Sequence, residues 1–448
     1  MKEQNGKRCF RPGSACTFGE GKVCGMKRPC VRGGISENDR RIFLCLALAM
    51  AIVSVGKGNA SSVSTAAPAG PQMIRQKPER PVQKLSNQIP GIQPSPALYE
   101  AIVDRYVRRG LPGMAMLIKT PEEGTWVGSR GFARLEDRMP MRPTTVFHTL
   151  GLTSVFTATA IMMLRDEGLI DLDVPIDRYL PAEIVDKVAN SHTATIRHLL
   201  AYTSGIPDHS VDTPPWNSPR LDLTWRDKLA EIFGKPAVFR PGEAFHFCNA
   251  EKKLLAVVID GLTGSHVEFF RTRIVGPLGL QHTYYKSEPG LPHLPTMADS
   301  YFDRFGDGNI ENIGPDMRLQ VFKKGYGDSG LFSTVGDIAR FLEALFNGEL
   351  VTPESLREMT TVSYPDCHPN VGLGFKIYDQ FVDARLYGPA CWSGGWGYSA
   401  WFDFYVFPRA GVMIGWGANL AAANVDGAGV FDYFDIIEEA VATVFQGR

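Results

Sequence analysis

A serine and a lysine three residues apart on a helix make a compact nucleophile and base. Positions i and i+3 share a face, so the amine reaches the hydroxyl and takes its proton. The chain holds that spacing once, Ser54 to Lys57, directly after an apolar run and outside any stretch patterned like a folded domain. It is read as coincidence. His148 and His246 are the available acid–base groups, and Asn249 is an amide that either hydrogen-bonds a ligand or orients backbone. Cys9, Cys16, Cys24 and Cys30 fit no zinc-ligand spacing, and neither a metal nor a cofactor is expected.

Groups of this kind need elements to hold them. Thr145 to Pro181 reads TVFHTLGLTSVFTATAIMMLRDEGLIDLDVPIDRYLP. Val155, Phe156, Ala158, Ile161, Met162 and Leu164 recur at spacings near three and four, which predicts an amphipathic helix with one apolar face. Gly168 is a natural stop for it. Leu98 to Arg108 predicts an opening helix and Met114 to Lys119 a strand. Ala400 to Phe407 and Gly411 to Gly417 alternate as sheet strands do, and Asp432 to Phe445 predicts a closing helix. Asp337 is expected to cap the helix it opens. His198, beside Leu199 and Leu200, is expected to be a hydrogen-bonded structural histidine.

The wording of the central stretch resembles the nucleophile helix of the penicillin-recognising serine hydrolases, the group of class C β-lactamases, D-alanyl-D-alanine carboxypeptidases and related esterases. That family reads F-R-I-x-S-x-T-K-x-F-T-A-x-A-I-x-x-L-x-x-x-G-x-L-x-L-D-x-P-I-x-x-Y-L-P. Phe147, Thr153, Phe156, Thr157, Ala158, Gly168, Leu172, Asp173, Pro175, Tyr179 and Pro181 match it without a gap. Thr195 to Pro207 resembles the family's T-I-R-H-L-L-T-H-T-S-G-L-P, and Gly327 to Phe341 its G-G-L-x-S-T-x-x-D-x-A-R-F. Trp126 to Arg134 resembles the second strand. The resemblance covers nearly all of the chain from Ala97 to Arg448. It implies an α/β (α+β) fold of the β-lactamase/transpeptidase type: an antiparallel sheet flanked by helices, plus a mainly helical subdomain.

Four positions depart from the pattern, and they carry the family's chemistry. The serine falls on Gly151 and the lysine on Ser154. The tyrosine of Y-S-N falls on Phe247, with Asn249 kept, and the cation or histidine of K-T-G or H-x-G falls on Trp392, expected to face the cleft. Glycine has no side chain to attack with, Ser154 is no base near neutral pH, and phenylalanine shuttles no proton. Removing such a nucleophile or base alone costs about a million-fold in turnover. Backbone donors survive side-chain replacement, so Gly151 and Gly395 N–H groups would still form the family's oxyanion hole. Cys248 and Cys391 each neighbour a cleft-facing position and are expected to point away.

The leading expectation is therefore a β-lactamase-related protein lacking serine acyl-enzyme hydrolysis. It would bind a peptide, peptidoglycan-like or acyl ligand through Gly151, Asn249, Trp392 and Gly395. One alternative is an enzyme of non-covalent chemistry that uses the same oxyanion donors. The other is a serine hydrolase, as the family label implies.

Composition sets the remaining bounds. The 448 residues carry 44% hydrophobic and 21% charged side chains with a net charge of -1, which gives no electrostatic case for nucleic acid. Residues 1–41 hold ten Lys or Arg against four acids, followed by a fourteen-residue apolar run, Ile42 to Val55. This is short for a membrane span and fits a signal-peptide core, with Gly58-Asn59-Ala60 as a cleavage site. Residues 1–60 are read as a lead with signal peptide or membrane anchor, 61–96 as a Pro/Ser/Ala-rich linker and 97–448 as the folded domain. Export to the periplasm or medium follows, with attachment to the inner membrane through 42–55 as the alternative.

Overall fold

The computed structural model describes residues 96–209, 223–286, 294–303, 309–368, 370–396, 400–420 and 433–446. The basic lead, the apolar run, the linker up to residue 95, Ser54, Lys57 and the five N-terminal cysteines all lie outside them.

The chain opens with helix α1 (Pro96–Arg108), then strands β1 (Gly113–Thr120), β2 (Gly124–Arg134), β3 (Met139–Pro140) and β4 (Phe147–His148). A 3-10 turn at Leu150–Leu152 leads into α2 (Thr153–Asp166). Then come α3 (Ile196–Leu200), α4 (Trp225–Ala230), α5 (Asn249–Thr263) and α6 (His266–Phe270), β5 (Tyr284–Tyr285), α7 (Gly314–Lys324), β6 (Leu331–Ser333) and α8 (Val335–Phe346). The C-terminal part supplies β7 (Lys376–Tyr378), β8 (Ala390–Trp396), β9 (Trp401–Phe407), β10 (Val412–Ala418) and α9 (Tyr433–Gln446).

The seven-stranded sheet runs β3-β2-β1-β10-β9-β8-β7. β1 pairs antiparallel with the C-terminal β10, so the two chain ends close one sheet. Strand side chains alternate between faces, and the faces build two cores. On one, Tyr405, Phe407, Ile414 and Trp416 pack with α1 and α9. On the other, Phe402, Phe404, Val406 and Met413 pack with α2, α5 and α8. This is the mixed fold, antiparallel sheet with flanking helices, that the sequence implied.

Two local expectations change. Helix α2 is not amphipathic in its surroundings: Thr157, Thr159 and Ala160 are as buried as Phe156 and Ile161. Sheet and helices enclose it on every side; Thr157 Oγ1 donates to the Gly327 carbonyl at 2.7 Å, while Thr159 Oγ1 is buried without a partner among the described residues. The cap of α8 is Thr334, whose hydroxyl accepts from Asp337 N–H at 3.1 Å. Asp337 instead accepts from His282 N–H at 2.8 Å and from Thr283 Oγ1 at 2.9 Å, tying α8 to the residues that lead into β5.

Candidate functional site

Gly151 is the middle residue of the turn that feeds α2. Leu150 beside it takes φ +52, a left-handed conformation uncommon for a residue with a β-carbon. Thr153 fixes the turn: its Oγ1 donates to the Leu150 carbonyl at 2.9 Å and accepts from Leu331 N–H at 3.3 Å. The turn thereby presents Gly151 to β8. A β-carbon added at Gly151 would stand 2.9 Å from the Gly394 carbonyl oxygen, and one added at Gly395 would stand 2.2 Å from the Gly151 nitrogen. Both neighbours are main chain and cannot rotate aside. Turn and strand therefore meet backbone to backbone, and glycine is required on both sides of the contact.

Strand alternation separates Gly395 from Trp392. Cys391 belongs to the core shared with α2, and Ser393 and Gly395 follow it at two-residue steps on that face. Trp392 falls on the opposite face, where it packs with the α1/α9 core. Its indole N–H donates to Asp403 Oδ1 at 3.1 Å. The expectation that Trp392 faces the cleft is thus corrected: a residue three before Gly395 in a strand cannot share its face. Ser393 takes the inward position, 3% exposed, its hydroxyl without a partner among the described residues. Cys391 likewise points inward, not away.

The face that holds Trp392 also explains Gly394. Asp403 is buried, with Trp392 and Trp401 both donating indole N–H groups to its carboxylate. A β-carbon at 394 would lie 1.9 Å from Asp403 Oδ1. Burial pushes the Asp403 carboxyl up to about 7, opposed by the two indole hydrogen bonds and by Lys376.

The remaining expected residues gather around α2 and α5. Ser154 is half-buried in the first turn of α2. Phe247 is 45% exposed and stacks on Tyr202 with ring centroids 5.1 Å apart. Asn249 opens α5 and donates from Nδ2 to Asp208 Oδ2 at 3.3 Å, while Asp208 Oδ1 accepts from Ala250 N–H at 3.0 Å. Asp208 therefore serves the start of α5, which has no side-chain cap of its own.

The candidate bases and thiols are poorly placed for chemistry. Burial pushes the His148 imidazole down to about 3, and the residue lines a separate pocket with Asp299, Arg318 and Asn419. His246 donates its main-chain N–H to the Tyr202 carbonyl at 2.9 Å, and its ring Nδ1 is buried without a partner among the described residues. Burial raises Cys248 and pushes Cys391 up to about 12, so both remain thiols. His198 accepts from Thr195 N–H at 3.1 Å through Nδ1 in a capping box, a structural role. Among the described residues no cluster of His, Cys, Asp or Glu could hold a metal ion, and no helix is long and apolar enough to cross a membrane.

Residues 98–426 match the family model described as Beta-lactamase. The chain belongs to the β-lactamase family. Among its relatives, penicillin-binding protein 4* of Bacillus subtilis (strain 168) is 26% identical over 306 residues, which is 63% of this chain and 62% of that protein. The match thus spans less than two thirds of that relative. The B. subtilis protein named "Putative penicillin-binding protein PbpX" is 23% identical over 75% of this chain and 79% of its own length. Of the solved structures, D-amino acid amidase from Ochrobactrum anthropi SV3, in complex with L-phenylalanine, superposes with a TM-score of 0.64 at 22% identity. It covers 79% of this chain and 99% of the amidase. The octameric penicillin-binding protein homologue from Pyrococcus abyssi gives 0.62 at 23% identity, over 78% and 76%. At these identities the structures establish the shared fold.

Three residues of this β-lactamase-family site escaped the sequence reading. Ser393 was within reach, because the two-residue period that puts Gly395 inward puts Ser393 inward too. Tyr202 and Asp208 left no local signal, since each acts across the fold on an element distant in sequence.

Proposed function

We propose that this member of the β-lactamase family binds a peptide, peptidoglycan-like or acyl ligand without forming a serine acyl-enzyme. The observation that carries the reading is the Gly151 contact. The position that needs a hydroxyl has no side chain, and the Gly394 carbonyl stands 2.9 Å from where its first atom would be. Position 154 offers a hydroxyl in place of an amine, position 247 a hydrocarbon ring, and the inward position of β8 a serine. What persists is main-chain N–H at Gly151 and Gly395, with Asn249 at the start of α5, able to meet a carbonyl or carboxylate oxygen. That relatives are named as penicillin-binding proteins and that a structural neighbour holds an amino acid support a ligand of this class. Export, periplasmic or secreted, with attachment to the inner membrane through 42–55 as the alternative, completes the proposal and rests on the apolar run and its basic flank.

Intact-protein mass spectrometry after incubation with benzylpenicillin and with a fluorophosphonate tests the reading. The expected result is an unmodified mass with both reagents. A stoichiometric adduct at any residue would sink it.

A further inference from the structure

Asp403 lies in the middle of β9, opposite Gly394 in its pairing with β8 and opposite Trp416 in its pairing with β10. It is 1% exposed, an uncommon place for an acid. Trp392, two residues before Gly394 on β8, donates its indole N–H to Asp403 Oδ1 at 3.1 Å. Trp401, two residues before Asp403 on β9, donates its own to Oδ2. One oxygen is thus held from each strand. The space they fill is the space a side chain at 394 would need, because a β-carbon there would overlap Asp403 Oδ1.

The candidate site adjoins the same two residues. The Gly394 carbonyl oxygen would stand 2.9 Å from a β-carbon at Gly151, and Gly395 meets the Gly151 nitrogen main chain to main chain. Strand β8 is therefore enclosed here between the Asp403 carboxyl and the Gly151 turn. On its other edge, β7 pairs with β8 only over Ala390 to Trp392, so at Gly394 and Gly395 the paired strand is β9 alone. Whatever fixes β8 on β9 at this point also fixes the Gly395 N–H relative to Gly151.

Resting on the ligand-binding reading of that contact, we propose that Asp403 is its positioning residue: the carboxyl takes the place of a side chain at 394 and, through the Trp392 and Trp401 indoles, holds β8 on the Gly151 turn. The same placement makes the hold depend on pH. Lys376 of β7 is the cation that acts on the carboxyl, and its Nζ lies 5.4 Å from the Trp392 ring. Trp416 of β10 and Tyr99 and Tyr106 of α1 share the core on that face and carry no charge at neutral pH. Of the acids on α9, Asp435 and Glu439 act on Tyr106, and Glu439 pairs with Arg105 at 2.6 Å. Burial outweighs the two indoles and Lys376 and raises the carboxyl to about 7. Charging a carboxyl in this dry position favours a looser strand, which admits water.

TROSY spectra of the free full chain labelled with [15N]glycine follow the Gly151 and Gly395 amides from pH 5.5 to pH 8.5. Both are expected to shift together through one midpoint near 7. Asp403→Asn keeps the size and stays neutral, and both shifts are expected to vanish in it. Lys376→Gln removes the cation that favours the charged form, so the midpoint should move up by roughly half a pH unit. That variant decides the matter if Asp403→Asn does not fold. A Gly395 amide that titrates while Gly151 stays still, a Gly151 titration that persists in Asp403→Asn, or a midpoint unmoved in Lys376→Gln overturns the proposal. These spectra need no ligand, so a covalent adduct in the mass measurement would overturn the non-acylating reading separately.

Discussion

At the scale of single residues, the site is governed by what glycine permits. Gly151 and Gly395 let two main chains meet, and a side chain at either reopens that contact against carbonyl and amide groups that have nowhere to turn. Restoring the family serine and lysine as Gly151→Ser with Ser154→Lys is therefore not expected to restore hydrolysis. Inserting atoms into a closed contact typically costs about 1–3 kcal/mol. The double variant should show a lower urea midpoint and no nitrocefin turnover above background. Efficient turnover would mean that β8 yields easily and that the replacements at 151 and 154 alone had silenced the site.

At the scale of elements, α2 is the piece whose burial holds the site in register. Phe156 stacks on Phe341 of α8 with ring centroids 3.9 Å apart at 20° and meets Phe270 edge-on at 6.0 Å. Its complete enclosure leaves no route for the site of a deleted ring to refill from solvent. Phe156→Ala is expected to cost about 3–5 kcal/mol, the usual range for an enclosed phenylalanine. Denaturant unfolding measures the loss, and a value below about 1 kcal/mol would contradict the packing described. Because the turn at Gly151 is continuous with α2, the variant should also loosen binding at the site, where near-ultraviolet circular dichroism reads the aromatic environment.

At the scale of the whole molecule, the buried Asp403 couples sheet stability to pH. Its carboxyl is raised from 3.8 to about 7 because burial disfavours the charge. The folded protein thus binds this proton more tightly than the unfolded chain. Its contribution is complete below about pH 4 and is lost as pH rises through about 7. Glu251, raised to about 8, acts in the same sense. Asp403→Asn should therefore lose stability relative to wild type least at pH 8 and most at pH 5, while His148, held down to about 3, adds an opposite trend to both proteins up to about pH 6.5. Urea titrations of both proteins across that range test the sign, and a wild-type advantage over Asp403→Asn that grows as pH rises would contradict the assignment.

The sequence by itself determined the family, the fold and the glycine at position 151, because these follow from local pattern and from a motif frame that runs unbroken around the altered positions. Periodicity located α1, β1, α2, β9, β10 and α9 to within a residue or two. Local pattern did not reveal that α2 is enclosed on all sides, since its threonines look solvent-ready until α5, α8 and the sheet close around them. Nor did it reveal that Thr334, not Asp337, caps α8. The face of Trp392 was decided by the register of β8 on β9, where one residue's shift exchanges indole for Ser393. The meeting of Tyr202, Phe247 and Lys252 was decided by tertiary structure alone, because two segments distant in sequence must pack before a ring stack and an ammonium over the phenol ring can form.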